Sequence, residues 1–95
     1  MRKYEVMYII RTDIEQELVQ STVEKFQGII TNGGGEITKH DLMGKRRLAY
    51  EIKKFRDGHY VLVHFNAEPA VITELDRVLK ISDEVIRFLI VNDVA

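Results

Sequence analysis

The residues of this chain best suited to chemistry are its cations. Over residues 44–56 the run GKRRLAYEIKKFR holds six of the fourteen Lys and Arg residues, with Glu51 and no other acid among them. A guanidinium offers a planar fork of donors that matches phosphate oxygens, and lysine adds a mobile point charge. The chemistry on offer is capture of a polyanion, with RNA favoured. Tyr50 sets an aromatic ring among the charges, where it can stack on an unpaired base or serve equally well in a core. A blander reading is that an exposed edge strand carries Lys and Arg to discourage pairing with other chains. That accounts for one or two charges, but not for KRR together with KKFR.

Other chemistries find little support. His40, His59 and His64 have no spacing that gathers them with a carboxylate. His59 and His64 are an odd number of residues apart and face opposite sides of a regular strand. The acidic pairs Glu15 with Glu17 and Asp83 with Glu84 read as solvated helix and turn residues, not an acid and base pair. Ser21 and Ser82 lack a nucleophile-elbow context. The triple glycine, Gly33 to Gly35, follows a helical pattern instead of preceding one and has no Lys-Ser or Lys-Thr ending, so it reads as a helix stop and not a phosphate loop. No enzyme, metal or cofactor is expected.

These side chains must be positioned by a small scaffold. Ninety-five residues, 45% apolar and 31% charged, with a net charge of −1, describe one globular domain spanning 1–95. A near-neutral chain is not a general nucleic-acid binder, so the local concentration of charge carries the argument. With no cysteine and no apolar run long enough to span a bilayer, a cytoplasmic location is the default expectation, away from membranes. The opening MRKYEVMYII does not read as a signal peptide.

Residues 4–10 have strand character, with Tyr4, Val6, Tyr8 and Ile10 on the more apolar face. A helix follows. Thr12 with Glu15 fits a capping box, and Ile14, Leu18, Val19, Val23, Phe26, Ile29 and Ile30 make an apolar stripe. Residues 36–53 read as a long strand bent or bulged at Gly44. Asp57-Gly58 predicts a turn, and HYVLVHF a central strand with Val61, Val63 and Phe65 on one face. Pro69 opens a second helix, with Val71, Ile72, Leu75, Val78 and Leu79 facing the core. EVIRFLIVN is the last strand.

The order β-α-β-β-α-β predicts an α+β, ferredoxin-like fold: a four-stranded antiparallel sheet with two helices on one face. The other face then shows Lys3, Glu5, Met7, Ile9, Tyr60, Leu62, His64, Arg87, Leu89 and Val91. An apolar patch of that size predicts a docking surface, with Met7, Ile9, Tyr60, Leu62 and Leu89 as its contacts. The alternative is that a loop or the C-terminal residues fold back over it, for which the tail NDVA is short. Leu48 and Ile52 are expected to anchor the basic strand in the core while Arg47, Ala49 and Glu51 face outward.

Two other owners of this topology compete. RNA-recognition motifs want aromatics at the first and third positions after the third-strand glycine, where this chain has His59 and Val61. A regulatory domain that binds a small molecule such as an amino acid remains the best alternative outside RNA binding.

The segments MRKYEVMYII, GKRRLAYEIKK, DGHYVLVHF and ISDEVIRFLIV together resemble the family of protein six of the bacterial small ribosomal subunit (S-six). The most specific pieces are MRKYE and RRLAYEI, and the resemblance covers essentially all 95 residues. It implies a structural role in the platform region of the small subunit. It also implies a heterodimer with protein eighteen of that subunit (S-eighteen), the two binding the central domain of small-subunit ribosomal RNA jointly. The matched motifs carry over Arg2, Lys3 and Tyr4, and Arg46, Arg47 and Tyr50, as contacts. Lys53 and Arg87 join the RNA-binding set from their own charge. Family members often continue past the last strand in a polar tail, whereas the four residues NDVA follow Val91 here.

Overall fold

The computed structural model describes residues 1–92. Its elements run β1 (Arg2–Ile10), α1 (Gln16–Asn32), β2 (Glu36–Ile52), β3 (Phe55–Ala67), α2 (Pro69–Ile81) and β4 (Val85–Asn92). The sheet order is β2-β3-β1-β4, and each neighbouring pair is antiparallel. Each βαβ unit is therefore split by a strand of the other, the expected ferredoxin-like arrangement. Period two sorts the residues as anticipated. Tyr4, Val6, Tyr8 and Ile10 of β1 and Val61, Val63 and Phe65 of β3 are buried with Val23, Phe26 and Ile30 of α1 and Leu75 and Leu79 of α2. Both helices thus cover one face.

Local chemistry explains the boundaries, with three departures from expectation. Glu15 caps α1 through its backbone and makes no side-chain cap, so the capping box does not form. Thr12 Oγ1 instead donates to Asp57 Oδ1 at 2.8 Å, a charged acceptor that outcompetes a neutral cap. Leu18 is 42% exposed. The buried arc runs through Val19, Thr22, Val23, Phe26 and Ile30, and Leu18 falls to one side of it. The helix ends at the triple glycine as expected, where the Gly34 amide donates to the Thr31 carbonyl and Gly35 to Ile30. Pro69 occupies the first turn of α2.

The third departure is the hairpin. Lys53 and Lys54 hold φ of 49° and 70° between the paired Ile52 and Phe55, a two-residue turn of the kind that needs positive φ at both centres. Asp57 and Gly58 lie inside β3, opposite Arg47 and Arg46. Gly58 serves close approach and not a turn: a Cβ there would collide with Ile9 Cγ2. Gly44 shows the reverse case. Its φ is 83° with nothing within 4 Å of an added Cβ, so conformation and not space selects glycine at the expected bulge.

No described helix is long and apolar enough to cross a membrane. The expectation that NDVA is too short to cover the sheet falls largely on residues 93–95, outside the described residues.

Candidate functional site

Beyond the Gly44 bulge, β2 and the start of β3 form an arm, residues 45–55, that bends over part of the helix-free face. Leu48 is buried there against Ile9 and Ile86, with Ile52, Phe55 and Tyr60 half-buried around them. Leu48 and Ile52 do anchor the basic strand, but in this second cluster and not in the main core. Ile9, expected to be free for docking, is 4% exposed. The arm has taken its place on that face. Ile86 joins it because the β1–β4 pairing slips between Ile9 and Ile10, a bulge that period-two counting does not anticipate.

What stays open on this face is Met7 and Leu62, half-buried, and Leu89, 57% exposed. A cleft of about 180 Å³ lies between the arm and the sheet, lined by Met7, Ile9, Leu48, Ile52, Tyr60 and Leu89. At its rim Arg87 Nη1 donates to Tyr50 Oη at 2.7 Å, which joins β4 to the arm.

The base of the arm is held by charge. Arg11 makes a two-point contact with Asp13, 2.6 and 2.8 Å, and its guanidinium lies 5.0 Å from the Phe55 ring centroid. The Thr12 hydroxyl, and secondly the Lys45 ammonium at 3.5 Å, hold the Asp57 carboxyl below its ordinary pKa. Lys45 is thereby occupied internally, as is Arg56 by Glu51 at 3.7 Å.

Arg46, Arg47 and Lys53 are exposed, and among the described residues none has a carboxylate partner. Arg46 Nε makes only a long contact, 3.5 Å, with the Met43 carbonyl. With Arg87 and the 62% exposed Tyr50, they form a cationic border at one end of the sheet. Arg2 and Lys3 are exposed at the other end, level with Ala67 and Asn66. Asn66 lies eight residue steps along β3 from Gly58, the partner of Arg46, which is roughly 26 Å at strand rise. The proposed contacts therefore fall into two groups.

Among the described residues no three His, Asp or Glu side chains gather as metal ligands. His59 pairs with Ile10 and His64 with Glu5, on opposite faces as their spacing requires.

The chain matches the family described as Ribosomal protein S6 over residues 3–92. It belongs to that family. It is 57% identical over 90 residues to small ribosomal subunit protein bS6 of Moorella thermoacetica, covering 95% of this chain and 92% of the relative. To the protein of the same name from Desulforamulus reducens it is 53% identical, covering 98% of each. The crystal structure of 30S ribosomal protein S6 from Thermotoga maritima superposes with a TM-score of 0.92 at 34% identity, over 97% of this chain and 87% of that one. As a member of the S6 family the chain is a structural protein of the bacterial small ribosomal subunit and not an enzyme, and it resides on the ribosome in the cytoplasm. The family assignment displaces the amino-acid-binding alternative.

Proposed function

We propose that the chain binds the central domain of small-subunit ribosomal RNA together with protein eighteen of that subunit, each partner completing a surface the other lacks. The observation that carries this reading is the asymmetry of the helix-free side. An apolar strip of Met7, Leu62 and Leu89, with the half-buried Tyr60 at its edge, runs up to a border of cations that have no carboxylate partners among the described residues. Arg46, Arg47, Lys53 and Arg87 supply phosphate contacts there, with the Tyr50 ring for an unpaired base, and Arg2 and Lys3 reach a second stretch of backbone. Met7, Tyr60, Leu62 and Leu89 meet the protein partner. Ile9 is withdrawn from that set because the arm buries it.

The division of labour suits a net charge of −1. A few uncommitted cations give weak affinity for RNA alone, and a second protein raises it by adding surface. A gel-shift titration of small-subunit RNA, with and without protein eighteen, tests this. The expected result is weak binding alone and a large gain with the partner; equal affinity in both arms overturns joint binding.

A further inference from the structure

We infer that the cleft beneath the arm is a socket for one aromatic side chain of the protein partner. The inference rests on the reading that a protein docks on the helix-free face, and it adds the anchor by which it docks. An apolar cavity of about 150 Å³ takes up a benzene ring. This cleft has about 180 Å³ and walls of Met7, Ile9, Leu48, Ile52, Tyr60 and Leu89. Interfaces concentrate their affinity where an aromatic anchor fills such a pocket and water is excluded.

The rim adds direction. Arg87 spends one N–H on the Tyr50 oxygen and keeps its others, while the Tyr50 hydroxyl hydrogen remains available. Among the described residues no carboxylate lines the cleft. A rim of donors calls for an acceptor beside the ring, such as a backbone carbonyl or an acidic side chain of the incoming segment. A nucleobase fits less well. Its edge carries several donors and acceptors that these apolar walls would strip of water and leave unpaired. The floor is preformed, since Ile9 and Leu48 are already fixed in the second cluster, so little ordering is required on docking.

The test uses the full chain with labelled methyl groups and toluene as the probe. Saturable shifts at Met7, Leu48 and Leu89, with Leu75 of the main core unmoved, are expected. Their absence, or shifts in those methyls with adenosine monophosphate but not toluene, overturns the socket. Leu89→Trp then fills the cleft from an exposed position. The chain has no natural tryptophan, so a blue-shifted emission reports the introduced indole in place. That variant should lose toluene binding and bind protein eighteen about ten-fold or more weakly. Unchanged partner affinity with the indole seated rejects the socket and leaves the heterodimer standing. A wild-type chain that takes up toluene but never binds protein eighteen rejects the heterodimer instead.

Discussion

Tyr50 and Arg87 lie 37 positions apart and meet through one hydrogen bond of 2.7 Å. Tyr50 belongs to the arm and Arg87 to the edge strand β4, so this contact ties the most basic segment of the chain to the far side of the sheet. Both residues also stand where the apolar cleft meets the cationic border. A single polar contact thus links the surface proposed for protein with the one proposed for RNA.

Tyr50→Phe removes that bond and keeps the ring. Exposed hydrogen bonds contribute modestly, so global stability should fall by about 1 kcal/mol or less. Amide hydrogen exchange should quicken in the arm while β1 and the helices keep their protection. Uniform acceleration across the sheet would show that the contact does not act locally.

Gly58→Ala drives a methyl group into Ile9 Cγ2. Overpacking of this kind should cost about 1–3 kcal/mol. Ile9→Ala opens space at the same point, so the double variant should be less destabilised than the sum of the two singles. Denaturant unfolding of the four proteins gives the cycle, and strict additivity would mean that Gly58 is required for some other reason.

Asp57 should make folding sensitive to acid. Its carboxyl titrates below its ordinary value, chiefly because Thr12 donates to it and secondly because of Lys45. A depressed carboxylate stabilises the fold above the unfolded value, near 3.8, and that contribution is lost as pH falls through the lower folded value. Thr12→Val should move the Asp57 carboxyl resonance to titrate at higher pH and reduce the drop in Tm between neutral and acid solution. An unmoved titration would assign the shift to Lys45.

Much of this was legible in the residues, and the failures have physical causes. The main core followed from two periodicities, and Pro69, Gly44 and the triple glycine marked their boundaries correctly. The capping box failed because Thr12 finds a carboxylate 45 positions away, a tertiary contact that no local pattern contains. Asp57-Gly58 imitated a turn because glycine is also selected where another side chain presses close. The turn itself rests on two lysines at positive φ, a conformation that lysine does not advertise. Ile9 misled because strand parity assigned its face correctly but could not reveal that the arm, anchored through Leu48, would cover it. For the cationic border, composition located the charges. Only the ion pairs of Lys45 and Arg56 separated occupied cations from free ones.

Arg46 and Arg47 are expected to meet phosphates in a complex of this chain, protein eighteen and ribosomal RNA. The salt dependence of that complex tests it most directly. Replacing both arginines with alanine should weaken binding and flatten the slope of log affinity against log salt by about one for each lost contact. A double variant with the wild-type slope and affinity would contradict the account.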